Sequence, residues 1–413
     1  MKDVSWITDL KLRASWGTNG NQQIADGAAY TLYDPGAGAS STDVVWGRWN
    51  YATVYDMLGA GTGTLASGFR RTQNGNSSLK WETSEQWDLG FDYNFWDYKL
   101  YGTFDWYYKN TYDILVRPTV IGVLGEGAQR YENGATLENR GIEFTIGTRG
   151  KTGFGLSYDI NGNFYTWHNK VTYLPESVLS SYPGNGTTDI ILGRNVNSYY
   201  GYIAEGLYKS EAELNDGIAI GSLNKGKGLG RIKWKDINGD GQITNADRAY
   251  FGNPEPALSL GLNINLGYKN FDFSMFWEGK LGYLANTGDK SQRTLFITDM
   301  GSNKGADILG AWTPQNPNST IPALTTTNNN NETATSTYFY EDHSYMKLRN
   351  VQLGYTMRNN LTKALGMSRC RFYITGQNLI WFQSKDFTGR DPEQTGMGYP
   401  LPQTLIFGAQ LSF

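Results

Sequence analysis

The stretch Thr404-Leu-Ile-Phe-Gly-Ala-Gln-Leu-Ser-Phe413 decides the fold. Side chains of an extended strand alternate between its two faces. Leu405, Phe407, Ala409, Leu411 and Phe413 share one face, and Ile406, Gly408, Gln410 and Ser412 share the other. The first face is greasy; the second is small and partly polar. Two settings suit such a ribbon: the edge strand of a soluble sheet, or the last strand of a membrane barrel whose greasy face meets lipid.

Nine similar ribbons precede it. Leu10, Leu12, Ala14 and Trp16 oppose Lys11, Arg13 and Ser15. Trp87 to Phe95 alternates with Asp88, Gly90, Asp92 and Asn94. Leu100, Gly102, Phe104, Trp106 and Tyr108 oppose Lys99, Thr103, Asp105 and Lys109. Ile142, Phe144 and Ile146 oppose Glu143 and Thr145. Leu156, Tyr158 and Ile160 oppose Ser157, Asp159, Asn161 and Asn163. Leu258 to Leu266, Phe271 to Trp277, Leu348 to Tyr355 and Cys370 to Ile374 follow the same rule. In the eighth ribbon the phase slips at Arg349-Asn350, which predicts a β-bulge.

The links between ribbons sort by length. Phe95 to Lys99, Gly147 to Phe154, Gly267 to Asn270 and Asn359 to Arg369 are short. Residues 18–80, 112–138, 168–255, 280–344 and 384–403 are long, and short and long alternate. An up-and-down transmembrane barrel with short periplasmic turns and long extracellular loops has this pattern. The final strand then runs toward the short-turn side. Lys99, Asp88, Asp92, Asp105, Glu143 and Asp159 on the second face would be costly in a dry core but are at ease beside a polar lumen. The fold class expected is therefore all-β: an antiparallel portion of about ten strands from a transmembrane barrel.

Composition agrees. Of 413 residues, 39% are hydrophobic, yet there are 13 Trp, 28 Tyr and 18 Phe. Few aliphatics with many amphipathic aromatics suit a wall between lipid and water. The net charge of −3 gives no basic footprint for nucleic acid. The one cysteine, Cys370, leaves no internal disulfide framework. Met1-Lys-Asp-Val-Ser-Trp6 lacks the charged and apolar regions of an export signal.

One local motif carries chemistry. Asp236, Asn238 and Asp240, then Gly241, the Gln242 carbonyl, Thr244 and Asp247 occupy the positions of a twelve-residue calcium loop. Hard oxygens at this spacing curl a chain around a divalent cation, so a structural Ca2+ stiffening the long loop is expected. A solvated Asn/Gly/Asp turn is the alternative. Asp247 stands where Glu is usual, and no flanking helices are evident. Catalysis finds no support: His168 and His343 read as solvated loop-junction residues, and no nucleophile elbow or paired carboxylates are present. Trp46, Trp49, Tyr51, Tyr55, Tyr199, Tyr200, Tyr202 and Trp312 lie in the long links. They read either as ligand-stacking platforms or as packing within the loops.

Several stretches resemble one family in its own order. They are Leu10-Lys-Leu-Arg-Ala-Ser-Trp-Gly-Thr-Asn-Gly-Asn21, Asn76-Ser-Ser-Leu-Lys-Trp-Glu-Thr83, Glu138-Asn-Arg-Gly-Ile-Glu143, Asp236-Ile-Asn-Gly-Asp-Gly241, Phe251-Gly-Asn-Pro-Glu-Pro256, Tyr345-Met-Lys-Leu-Arg-Asn-Val-Gln-Leu-Gly-Tyr355, Gly376-Gln-Asn-Leu379 and Gly389-Arg-Asp-Pro-Glu393. Together they resemble the C-terminal barrel portion of SusC/RagA-type TonB-dependent outer-membrane transporters. The resemblance implies the last part of a 22-stranded barrel, with the plug, the TonB-contacting segment and the earlier strands absent from this chain. It also implies outer-membrane import of glycans or peptides beneath a SusD-like lipoprotein, with TonB acting only through the missing part. The competing reading is a soluble, calcium-stabilised, glycan-binding β-module. The two differ in whether the greasy faces form one outward band or are buried between two sheets.

Overall fold

A computed structural model describes residues 5–24, 27–35, 54–55, 66–67, 69–117, 130–179, 190–364, 366–394, 396 and 398–413. Ten long strands form one antiparallel sheet in sequence order. They are β1 (Ile7–Asn21), β2 (Glu82–Phe95), β3 (Leu100–Val116), β4 (Glu132–Lys151), β5 (Ser157–Tyr173), β6 (Leu258–Tyr268), β7 (Phe271–Leu281), β8 (Tyr345–Thr356), β9 (Arg369–Gln383) and β10 (Thr404–Ser412). Each long strand pairs only with its sequence neighbours in the sheet, so β1 and β10 each keep a free edge among the described residues.

All ten expected ribbons are present, but several strands run further than the alternation showed. β4 begins at Glu132, ten residues before Ile142, and β5 continues to Tyr173. In these extensions both faces carry polar residues, as in Glu132-Asn-Gly. With no apolar period on either face, hydropathy patterning does not reveal them.

The register lines up one greasy face across the sheet. Leu12 pairs with Phe91, Phe91 with Phe104, Phe104 with Phe144, Phe144 with Phe164 and Phe164 with Leu260. Further along, Leu266, Phe273, Leu353, Ile374 and Phe407 make a second row. Leu12, Leu89, Ile142, Leu353 and Phe407 are exposed. No second sheet covers this face among the described residues. Aromatic residues mark both ends of the band. Trp16 meets Trp87 at 5.9 Å toward the long loops, and Trp6 meets Phe95 at 5.1 Å at the short turns. Trp and Tyr favour such boundaries because an apolar ring ends in a polar tip.

The bulge falls where the phase slip placed it. Register skips from Leu348 to Asn350 against both neighbours, leaving Arg349 unpaired in the ladder. The extra residue turns Arg349 onto the polar side, where it reaches Glu278 at 2.8 Å.

Glycines let long side chains span an intervening strand. Tyr107 on β3 reaches Tyr165 on β5 at 3.3 Å, and Tyr101 on β3 reaches Asp159 on β5 at 2.7 Å. They lie over Gly141 and Gly147 of β4. Arg13 on β1 likewise reaches Asp105 on β3 at 2.9 Å, beside Gly90 of β2. Arg371 on β9 reaches Asp272 on β7 past Gly354 of β8. A Cβ on Gly141 would sit 2.6 Å from the Tyr107 hydroxyl and 2.6 Å from the Thr166 carbonyl. Replacing Gly141 by Val should therefore destabilise the sheet by about 1–3 kcal/mol. Gly17, with open space around its Cβ direction, should accept Ala with little change. Urea unfolding in detergent checks the contrast.

Candidate functional site: the loop layer above the polar face

The long links after β5 and β7 fold into a layer of their own. Tyr199–Tyr202 pairs with Arg248–Phe251, Ala204–Leu207 with Ile232–Trp234, and Leu284–Asn286 with Tyr340–Asp342. Two small cores hold these pieces. One gathers Ala135, Val171, Leu174, Ile191 and Tyr250. The other gathers Tyr202, Leu207, Ile232, Trp234, Ile243 and Trp312. A buried Arg231–Glu332 pair at 2.9 Å closes the second core, where Glu332 also accepts from the Ile232 amide. Burial pushes the Glu332 carboxyl up, and Arg231 only partly offsets it.

The loop aromatics divide by position. Tyr202 and Trp312 are buried in the second core. Tyr200 packs on Tyr250 at 4.8 Å against the first. Tyr199 stands against Tyr340 at 4.3 Å and also lines a cavity. Trp46, Trp49 and Tyr51 lie outside the described residues, and only the backbone of Tyr55 is described.

Two cavities open in this region. One, of about 570 Å³, lies within the loop layer between Lys209, Lys290, Arg293, Asp307, Tyr338 and Thr388. The other, of about 480 Å³, lies at the loop end of β7 and β8, between Tyr199, Lys280, Tyr283, Tyr345, Pro392 and Glu393. Burial pushes the Tyr199 hydroxyl up to about 12. Hydroxyls, three lysines and an arginine give these walls hydrogen-bonding capacity on either side of aromatic rings.

The floor of the second cavity is a charge network. Tyr345, Lys347 and Arg349 alternate along β8 and meet the last long link. The Lys347 ammonium donates to Asp391 at 2.5 Å and to Glu393 at 2.6 Å. Arg349 binds Glu393 through both terminal nitrogens while its Nε donates to Glu278. The Tyr345 hydroxyl donates to Glu393 at 2.9 Å. Asp391 in turn accepts from the Glu393 and Leu401 amides, so it shapes the loop it anchors. Two of the family-like stretches, Tyr345 to Tyr355 and Gly389 to Glu393, thus meet in space. The alternating charges in each were the sequence signal for this contact.

The calcium-like loop is tightly curled. Asp236 accepts from the Gly239 and Gly241 amides at 2.7 and 2.8 Å. Asn238 accepts from the Asp240 amide, and Asp240 from the Gln242 amide. Asp247 is fully buried and accepts from the Ile237 and Thr244 amides. Thr244 caps the short helical turn Asn245–Asp247. Positive φ at Gly239 and Gly241 permits the curl. Asp236 is held below the usual carboxylate range because these amide donors override its desolvation. Among the described residues, no three His, Cys, Asp or Glu side chains converge as a metal-ligand set. Asp236, Asp240 and Asp247 are each engaged by backbone amides of their own loop.

His168 fits the solvated reading and His343 does not. His168 is exposed, with Nδ1 beside its neighbour's carbonyl. His343 is fully buried beneath the last long link. Sequence alone gave no sign of that cover, since Phe387 and Pro392 are more than forty residues away.

No model of a protein family matches the chain. Curated proteins do. The TonB-dependent receptor P3 of Formosa agariphila is 32% identical over 437 residues, covering 100% of this chain and 40% of its own length. The TonB-dependent receptor SusC of Bacteroides thetaiotaomicron is 28% identical, covering 100% of this chain and 38% of itself. Over its whole length the chain is similar to TonB-dependent receptors, SusC among them. A solved structure of the RagAB peptide importer in its open-open state superposes with a TM-score of 0.76 at 20% identity, covering 100% of this chain and 41% of that one. That likeness shows the fold, an antiparallel portion of a β-barrel. The chain spans about two fifths of the length of the curated relatives it matches.

The charge network under the last long link has a clear acid limit. Burial pushes Glu393 up, but Arg349 and Lys347 more than offset it and hold the carboxyl at about 2. Asp391 is likewise below its ordinary range, with burial overridden by Lys347 and two backbone amides. A carboxyl depressed by folding stabilises fully above its unfolded value of about 4 and stops as the pH falls toward the folded one. Proteolysis of residues 384–403 should thus stay slow down to about pH 4 and accelerate below it. Lys347→Met, which strands the buried Asp391 carboxylate, should cost about 3–5 kcal/mol and expose the same loop at neutral pH.

Proposed function

We propose that this chain is the wall-and-loop part of an outer-membrane nutrient importer. The observation that carries the reading is the unbroken greasy band across ten strands, opposite a face of charged and amide side chains. A water-soluble module would bury that band against a second layer; an outer-membrane wall turns it to lipid. In this reading TonB energises uptake through a part of the transporter outside this chain. A SusD-like lipoprotein sits on the loop layer, and glycans or peptides pass along the polar face. Tyr199 and the cavity beside it are the ligand-contacting candidates, with Trp46, Trp49, Tyr200, Tyr202 and Trp312 as framework or further contacts. The relatives' name, TonB-dependent receptor, and the RagAB title, peptide importer, support transport and leave the cargo open. Deleting the gene and comparing growth on single glycans and single peptides tests this reading. Loss of growth on one nutrient class supports it; undiminished growth on every one refutes it.

The free edges of β1 and β10 follow from the same reading. Unpaired backbone groups are not tolerated in hydrocarbon, so further strands pair with both edges in the membrane. The 413-residue chain expressed alone should aggregate, whereas a chain with its partner strands should be monodisperse in detergent; size-exclusion chromatography of both distinguishes them.

We also propose that a calcium ion stiffens the loop from Asp236 to Asp247. Supporting this are the one-three-five-twelve oxygen spacing and the juxtaposed Asp236 and Asp247 carboxyls. The ion would be held by Asp236, Asn238, Asp240, Thr244, Asp247 and the Gln242 carbonyl. Calcium should raise the Tm by several degrees, and Asp240→Ala should abolish the rise. Identical melting with calcium and with chelator would defeat the assignment.

A further inference from the structure

We propose that the larger cavity of the loop layer is a binding site for a small carboxylate-bearing ligand, with Lys209 as its charge anchor. Three links build its walls. Ala204, Gly206 and Lys209 come from the link after β5, Lys290 to Tyr338 supply residues from the link after β7, and Thr388 comes from the last link. Its volume of about 570 Å³ falls within the range of small-molecule sites, about 300–1,000 Å³. It shares no lining residue with the cavity beside Tyr199.

What the walls have left to bond decides the ligand. Three cations line the cavity, Lys209, Lys290 and Arg293, against one carboxylate, Asp307. The protein itself holds two of the cations. The Lys290 ammonium meets Glu341 at 2.8 Å and stands over the Tyr338 ring at 4.6 Å. Arg293 lies 3.2 Å from Asp289, and its terminal nitrogens donate to Asp307 and, at 3.0 Å, to Thr388. The one carboxylate on the wall is thus already engaged by Arg293. Lys209 differs. Its backbone amide is fixed by Glu213 at 2.7 Å, but its exposed ammonium makes no ion pair among the described residues.

The hydroxyls point the same way. The Thr337 oxygen accepts from the Ala204 amide at 2.9 Å, which leaves its own proton to donate elsewhere. The Thr320 hydroxyl has no hydrogen-bond partner among the described residues. The unspent groups are therefore one ammonium and two hydroxyls, all able to donate. A ligand carrying a carboxylate supplies the missing acceptor, whereas a cationic ligand would meet Lys209, Lys290 and Arg293. An ammonium is a compact point charge that takes an oxyanion from many directions. Leu207 and Ile321 give the ligand's body an apolar wall. Acidic sugars and acidic peptides both present this chemistry. The site deepens the importer reading, on which the ligand's role as cargo rests, by favouring acidic cargo. Binding itself needs no transport, so this proposal can fail while the growth comparison succeeds.

Calorimetry on the chain with its partner strands in detergent tests this with matched pairs of probes. Digalacturonic acid is compared with its dimethyl ester, and an end-capped diglutamate peptide with its end-capped diglutamine counterpart. In at least one pair the acid should bind about tenfold tighter than its neutral partner, with an advantage that shrinks as salt is raised. The pair with the larger advantage identifies the source as sugar or peptide. Lys209→Gln should remove most of the advantage and Lys209→Arg should keep it, with the Tm unchanged in both variants. Equal affinity of acid and neutral probes in both pairs, or no binding of any probe, would overturn the proposal. So would an acid advantage that survives intact in Lys209→Gln.

Discussion

A sheet with lipid on one side has no water there to satisfy its backbone, so every amide and carbonyl within the membrane must be paired along the ladder. The rest of this structure follows from that constraint. It demands long, uninterrupted antiparallel strands in simple neighbour order, as seen from β1 to β10. It confines irregular backbone to the ends, where water is available. It also fixes the register: a slip of one residue would turn Leu89 or Phe407 inward and Asp88 or Gln410 toward lipid.

Within the wall, rigidity comes from contacts that skip a strand. Tyr101, Tyr107, Arg13 and Arg371 each pass a glycine on the intervening strand to bond a group beyond it. These tethers couple three strands at a time on the polar face without placing a side chain in lipid. At the loop end the same face meets Lys347 and Arg349, whose carboxylate partners pin a long link over β7 and β8. The bulge at Arg349 connects the two levels. One extra backbone residue places its guanidinium between Glu278 of the wall and Glu393 of the loop.

The wall was legible in the sequence because lipid imposes a period of two on each ribbon. Leu10 to Trp16 and Leu405 to Phe413 could be read directly, and the slip at Arg349-Asn350 gave the bulge. The upper parts of β4 and β5 were not legible, since Glu132 to Asn139 and His168 to Tyr173 carry polar residues on both faces and follow no apolar period. The loop layer was illegible for a different reason. Ile232 and Trp312 come from separate links and become a core only once the wall brings those links together. Tyr202 and Trp312, conspicuous as loop aromatics, belong to that core. His343 looked exposed because what covers it, Phe387 and Pro392, arrives from a distant part of the chain.

The central claim is that one face of this sheet meets lipid. Spin labels placed singly along β4, at Ile142, Glu143, Phe144, Thr145 and Ile146, test it most directly by their accessibility to oxygen and to a water-soluble nickel chelate in a bilayer. The account predicts a period of two, with oxygen reaching residues 142, 144 and 146 and the chelate reaching 143 and 145. Labels at 142, 144 and 146 shielded from both reagents, as in the core between two packed sheets, would contradict it.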